Sequence, residues 1–209
     1  MTTTTEHAPS PAPTSPRSRT ARPALTSRTA LAWLVGVGLV AAAWVVALVT
    51  PGADAVQSPF PVEASIGERV EGRNLAVTVT DVRAAEEVEI DGWSAEGTWI
   101  VVDLEAEAVV TEEFARLALA TIEQGGRTFS ASERPTTSLR NSELSVGVPR
   151  AGALAFEVPA DVLDGGPATL RLGLDPDSRL DSVIELRFDP GGLDVEASVA
   201  VAPTEWARS

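Results

Sequence analysis

The sequence TWIVVDLEAEA, residues 98–108, carries an apolar side chain at every second position. Successive side chains of an extended strand point to opposite sides, so this spacing predicts a strand with one continuous apolar face. That face comprises Ile100, Val102, Leu104 and Ala106. In the first half, Trp99 and Val101 make the other face apolar as well. A strand that is apolar on both faces is predicted to lie in the middle of a sheet whose two sides are covered.

Segments with the same alternation flank this strand on both sides. They are residues 75–82, 117–122, 127–131, 153–158, 170–174 and 184–188, with an optional last strand over 195–201. Gln124-Gly125-Gly126-Arg127 is typical of a tight hairpin. Only the window 112–120 could be helical instead. About seven short strands without a helix-length pattern predict an all-β fold, an antiparallel β-sandwich over residues 67–190.

An uncharged apolar run of twenty residues, 30–49, precedes the predicted sandwich. Twenty helical residues span about 30 Å, the thickness of the hydrocarbon core of a bilayer. The basic residues before the run are all arginines, which favour the cytoplasmic side: Arg17, Arg19, Arg22 and Arg28. We therefore expect residues 30–50 to be a single-pass signal-anchor in membrane lipid, with a cytoplasmic N-terminus and an extracytoplasmic domain. The alternative is a secreted domain released by cleavage near Ala55, because Ala53-Asp54-Ala55 has the A-x-A form.

The remaining segments are predicted from composition. Residues 1–29 are rich in Thr, Ser and Pro and should form a disordered cytoplasmic tail, whereas residues 51–66 resemble a linker. Residues 191–209 are predicted as a C-terminal segment, with at most one more strand and then a tail. Small residues four apart, Ala32/Gly36 and Gly38/Ala42, would permit a dimer through the anchor helix.

Composition excludes several functions. Residues 51–209 carry twelve Arg against twenty-nine Asp and Glu, a net charge of −17, so no basic surface for nucleic acid is expected. The chain has no Cys and no Tyr, and its one histidine, His7, lies before the predicted anchor. The outer domain therefore lacks an imidazole base, a thiol nucleophile and the ligands that zinc prefers. We expect no enzyme activity and no cofactor. Exclusive use of Arg over Lys, with abundant Ala, indicates a GC-rich genome such as that of an actinobacterium.

Two candidate sites follow from the remaining side chains. Asp175, Asp177 and Asp181 place three carboxylates within seven residues, a weak candidate for Ca²⁺ at a solvated turn between strands. Trp93 follows Asp91-Gly92 and is predicted to lie in a turn, where a large aromatic could contact a partner. The acidic run over 86–91 is predicted to be an edge strand or loop that its charge keeps soluble.

The order of the motifs resembles a bacterial domain family. An early strand leads to GTWIVVDL over 97–104; a Gly-Gly hairpin follows, and then PRAG over 149–152 leads into LAFEVP over 154–159. This order is similar to that of the immunoglobulin-like domains of unassigned function on actinobacterial lipoproteins and membrane-anchored surface proteins. Those domains are similar in fold to the mycobacterial secreted immunoprotective antigen. The resemblance implies an immunoglobulin-like sandwich without catalytic residues. The chain differs in having a membrane helix where many members have a lipidated Cys.

Three functions are compatible with these features. The first is a non-enzymatic, membrane-anchored domain that binds an envelope protein or glycan outside the cell. The second is an accessory subunit of a membrane transporter or cell-wall assembly complex, joined through the helix as well as the domain. The third is a hydrolase of envelope glycans that uses paired carboxylates.

Overall fold

The computed structural model describes residues 27–49, 57–90, 92–135, 137–201 and 203–207. Within these ranges the chain forms one α-helix and twelve β-strands, which belong to two separate compact units. The β-strands form two sheets that pack as a sandwich, so the predicted all-β fold with one N-terminal helix is confirmed. Nearly all of the predicted tail, residues 1–26, lies outside the described residues, as do residues 51–56 of the predicted linker.

The helix, α1, comprises Ser27–Val49. Its apolar section Ala30–Leu48 has a mean hydropathy of 2.4, and none of that section is buried within the protein. Length and composition therefore suit a helix that crosses a membrane, and a signal sequence has the same properties. The helix agrees with the predicted anchor, and the secreted alternative stays open.

The strands divide between a five-stranded and a seven-stranded sheet. The five-stranded sheet has the order β1-β9-β8-β5-β6, and the seven-stranded sheet has the order β10-β3-β4-β7-β12, with β2 and β11 also paired to β3. The strands are β1 (Phe60–Ala64), β2 (Arg69–Glu71), β3 (Leu75–Ile90), β4 (Trp93–Ala108), β5 (Leu119–Gln124), β6 (Arg127–Ser130), β7 (Arg150–Glu157), β8 (Ala168–Gly173), β9 (Ser182–Phe188), β10 (Val195–Glu196), β11 (Val199–Ala200) and β12 (Glu205–Trp206).

A long antiparallel hairpin of β3 and β4 forms the centre of the seven-stranded sheet. Each strand has 16 residues, and their register runs from Leu75 opposite Ala108 to Ile90 opposite Trp93. The register shifts between Val79 and Asp81 and again between Ala85 and Glu87. The acidic run that was predicted to be an edge strand or loop is, over residues 86–90, the last part of β3. It pairs with β4 on one side and, at Val88 and Glu89, with β11 on the other, so the strand is not at an edge there.

The main core lies between the two sheets. The alternating face of residues 98–108 is buried there, as predicted, and Phe156 of β7 is among the largest side chains with no exposed surface. Sheet packing of this kind stabilises the domain through apolar area removed from water. The fully buried large side chains of this core are Phe156, Ile100, Leu104, Leu117, Ile122, Leu139, Leu144, Leu154, Leu170, Leu172 and Ile184.

A second, smaller core covers the outer face of the seven-stranded sheet. Trp99 and Val101 of β4 are fully buried in it, together with Val199 and Val201 from the C-terminal segment. The described residues of that segment, 195–201 and 203–207, pair first with β3 through β10 and β11 and then with β7 through β12. It thus passes over β4, and we call it the C-terminal strap. The strap explains why the first half of β4 is apolar on both faces.

Both predicted ends of the sandwich are wrong. Residues 60–64, assigned to the linker, form β1, which pairs in parallel with β9 and packs Val62 and Ala64 against the main core. Residues 195–207, assigned to an optional strand and a tail, form the C-terminal strap. The domain therefore extends well beyond 67–190, because both flanking segments add strands to edges of the two sheets.

Two further predictions about the strands need correction. Residues 112–118 form turns and irregular structure and β5 begins at Leu119, so the window 112–120 is not a helix. The sandwich is also not purely antiparallel. The pairings β1–β9, β10–β3 and β11–β3 are parallel, and all three involve segments outside 67–190.

Candidate interaction surface

The three carboxylates of the Asp175–Asp181 turn do not converge. Arg179 donates two hydrogen bonds of 2.8 Å to the two oxygens of Asp177, and these bonds lower the pKa of the exposed Asp177 carboxyl. The carboxylate of Asp175 accepts from the backbone N–H of Asp177, and that of Asp181 accepts from the N–H of Ser182, each at 2.8 Å. Across the described ranges, no group of three His, Cys, Asp or Glu residues could hold a metal ion.

Trp93 is the first residue of β4 rather than part of a turn. Gly92 has a φ of +81°, which lets the chain reverse direction early, so the strand has already resumed at residue 93. The Trp93 ring meets the Trp99 ring edge-on, with 6.2 Å between their centroids. Trp93 also lines a cavity of about 350 Å³ with Ile90, Val201 and small neighbours. It is half-buried against the second core and can only present one edge to a partner.

Arginines neutralise several carboxylates on the solvent side of β4. Arg69 binds the nearly buried carboxylate of Glu107, and this contact raises the pKa of the Arg69 guanidinium. Arg83 likewise donates to Asp103. Arg83 reaches Asp103 from the adjacent strand β3, whereas Arg69 reaches Glu107 from β2, on the far side of β3. Both contacts pair a charged residue of β4 with an arginine.

Four large apolar side chains are exposed on two loops next to β4 and β7. The loop after β4 carries Val110 and Phe114, whose residues are 70% and 81% exposed, and the loop before β7 carries Val146 and Val148. We call these four residues the apolar loop patch. Large exposed apolar groups on neighbouring loops are typical of surfaces that bind a partner.

Hydrogen bonds tie the two loops of the apolar loop patch together. The N–H of Val146 donates to the carboxylate of Glu112 at 3.0 Å, and the N–H of Leu144 donates to the carbonyl of Ala115 at 2.8 Å. The side-chain oxygen of Asn74 accepts from the N–H groups of Val110 and Thr111, at 2.7 and 2.9 Å. The apolar side chains are therefore displayed on a fixed backbone, which lowers the entropy cost of binding.

Phe114 is the most unusual residue of the patch. Its φ is +56°, a left-handed conformation that is rare for a bulky residue and costs about 1–3 kcal/mol. Phe114 also lines a cavity of about 260 Å³ with Glu112, Ala115, Arg116 and Glu143. Within the described residues, Arg116 and Glu143 make no ion pair. The cavity thus places one exposed aromatic ring beside three charged side chains, a combination that protein-binding surfaces use.

Sequence reasoning missed the apolar loop patch. It predicted a strand over 117–122, with 112–120 as a possible helix, and gave Phe114 and Val146 no role. The available signal was Phe114 itself, because an aromatic between Glu112-Glu113 and Arg116 fits neither an alternating strand nor a buried helix face. Nothing local to either loop indicates that the two come together.

Comparison with known proteins found a structural similarity but no matching family. No protein-family model matches the chain, and no curated protein matches it. An uncharacterized β-sandwich protein from Clostridium difficile 630 is similar in structure, with a TM-score of 0.43 and 15% sequence identity. The similarity covers 65% of this chain and 99% of the other.

Proposed function

We propose that this chain is a non-enzymatic protein of the cell envelope that α1 anchors in the membrane. Its extracytoplasmic β-sandwich binds another envelope protein through the apolar loop patch. The observation that carries the proposal is the exposure of Phe114 and three valines on two loops that hydrogen bonds hold together. Burying each such side chain on a partner would contribute about 1.5–3 kcal/mol before the costs of association.

A protein partner suits the patch better than a glycan. Its four exposed side chains are aliphatic or aromatic, and the charged groups beside them, in the cavity lined by Phe114, are Glu112, Arg116 and Glu143. We further propose that the sandwich is of the immunoglobulin-like kind found on actinobacterial lipoproteins and membrane-anchored surface proteins. Its two packed sheets and the order of its motifs support that assignment.

An accessory subunit of a transporter or cell-wall assembly complex is the second candidate. Such a subunit would dock through Gly36 and Gly38 of α1, where small residues permit the close approach of another helix. Replacing residues 30–50 by an unrelated apolar helix separates the two proposals. A binding domain on a simple anchor keeps its partner after the exchange, whereas a subunit that docks through its helix loses it.

The proposed topology predicts which end of the chain is accessible from outside. The arginines before α1 should keep the N-terminus in the cytoplasm. Protease added to intact, wall-stripped cells should therefore degrade residues 51–209 and leave an N-terminal tag protected. A tag that is accessible from outside would contradict the topology. Free domain in the culture medium would instead indicate cleavage near Ala55.

Photo-crosslinking in living cells tests the binding surface. A photoreactive amino acid at position 114 of the full chain should give one discrete adduct with an envelope protein, because Phe114 is the most exposed residue of the apolar loop patch. The same amino acid at position 60 is the matched control, since Phe60 is also exposed but lies in β1. Equal adducts from both positions, or none from position 114, would refute the proposed surface.

A further inference from the structure

One end of the β3–β4 hairpin has a free edge. β7 pairs with β4 only as far as Glu157 opposite Trp99, and the last contact is the N–H of Val158 donating to the carbonyl of Thr98 at 2.9 Å. Beyond it, residues 93–96 of β4 pair with β3 on one side, and residues 93–97 pair with nothing on the other side among the residues that the structure describes. We call residues 93–97 the β4 edge. Such an edge presents backbone donors and acceptors that another strand can use.

The two faces of the hairpin next to the β4 edge differ in chemistry. On one face Trp93 and Ala95 lie opposite Ile90 and Val88, and all four belong to the second core or pack against it. On the other face Glu96 lies directly opposite Glu87. Like charges in that position destabilise a strand pair unless a cation compensates them.

The acidic face has room for basic side chains and lacks them in this chain. Glu86, Glu87 and Glu96 line a cavity of about 340 Å³ with Ala197. No arginine forms an ion pair with these three carboxylates within the described part of the chain. This contrasts with the other half of β4, where Arg69 and Arg83 neutralise its acidic residues.

A further unpaired group lies beside the β4 edge. The indole N–H of Trp99 is buried and has no acceptor among the described residues. Its nitrogen is 3.2 Å from the position that a Cβ on Gly97 would occupy. Gly97, which has a φ of +150°, thus leaves room for the Trp99 ring to lie over the backbone of the β4 edge.

We propose that the β4 edge binds an extended basic segment of another protein by strand addition. The segment would extend the sheet where β7 ends, with backbone hydrogen bonds to residues 93–97. Basic side chains at every second position would face Glu87 and Glu96, and the small or apolar side chains between them would lie beside Trp93 and Ala95. A second copy of this chain suits the edge poorly, because pairing two such edges would bring together two acidic faces.

Synthetic peptides of alternating Lys and Val test the proposal on the full chain in detergent micelles. We expect binding that weakens with salt, together with slower hydrogen exchange at the amides of residues 93–97. A peptide of the same sequence in which every second backbone nitrogen is methylated keeps its charge but cannot donate the backbone hydrogen bonds to residues 93–97. It should bind at least about tenfold more weakly, which corresponds to loss of one or two hydrogen bonds.

Protein variants separate the β4 edge from general electrostatics. The double variant Glu87→Gln, Glu96→Gln should weaken binding of the Lys-Val peptide by about tenfold. The matched control Glu113→Gln, which removes an exposed carboxylate elsewhere, should leave it unchanged. The proposal is overturned if the methylated peptide binds equally well, if the chain forms dimers through residues 93–97, or if no peptide protects these amides. Phe114→Ala should not affect binding of the Lys-Val peptide. The peptide experiment therefore tests the β4 edge independently of the apolar loop patch.

Discussion

Replacing Phe156 by alanine should lower the free energy of unfolding of the sandwich by about 3–5 kcal/mol. The Phe156 side chain has no exposed surface, lies opposite Ile100 in the seven-stranded sheet and faces the main core. Removing the ring leaves a cavity that neighbouring strands cannot fill, because their backbones are fixed by pairing on both sides. Urea unfolding of residues 51–209, followed by tryptophan fluorescence, measures the loss.

The same substitution on the surface provides the control. Phe114→Ala removes an identical ring that is already 81% exposed, so the free energy of unfolding should change by less than about 0.5 kcal/mol. Both variants lose the same atoms, and only burial differs between them. A loss below about 1 kcal/mol for Phe156→Ala would mean that the side chain does not fill the core as described.

The alternation of residues 98–108 was sufficient to predict a central strand, because burial on one face of a sheet imposes a period of two. The same rule explains why β3 was predicted only as far as residue 82. The register between β3 and β4 shifts between Ala85 and Glu87. The two strands have unequal numbers of residues across this shift, which interrupts the alternation of apolar side chains. Beyond that shift, Val88 and Ile90 alternate again, but the surrounding glutamates made the segment resemble a solvated loop.

The ends of the domain could not be predicted, because their strands depend on distant partners. Residues 60–64 contain Pro61 and follow a Pro- and Ser-containing stretch, so their composition resembles a linker. They become β1 only because β9 offers an open edge, where a proline is tolerated. Likewise β10, β11 and β12 have two residues each, too few to show any period.

The candidate site depends even more strongly on distant contacts. The loop that carries Phe114 is held by Asn74, which lies 36 residues before Val110 in the sequence, and by a backbone contact to Leu144. A polar side chain that accepts from two backbone N–H groups fixes a loop conformation without any periodic signal. The sequence could therefore show that Phe114 is out of place, but not which apolar residues it joins.

Ending the chain at Asp194 should lower the free energy of unfolding by about 3–6 kcal/mol, because Val199 and Val201 each contribute about 1.5–3 kcal/mol by burial. These valines cover Trp99 and Val101 on the outer face of β4. Without the C-terminal strap, Trp99 would contact water, and its fluorescence in the folded state should shift to longer wavelength. The protein should still fold, since the main core between the two sheets is intact.

A chain that ends at Pro203 distinguishes burial by the strap from the pairing of its last strand. This chain retains Val199 and Val201 but loses β12. Its folded-state fluorescence should therefore be closer to the fluorescence of the full-length chain than to the fluorescence of the chain that ends at Asp194. Both truncated chains lack Trp206, so a difference between their spectra comes from Trp93 and Trp99. If the two truncated chains have equal stability and equal spectra, Val199 and Val201 do not shield β4 from water. A larger loss for the shorter chain is expected because apolar burial, rather than two residues of strand pairing, makes the strap part of the fold.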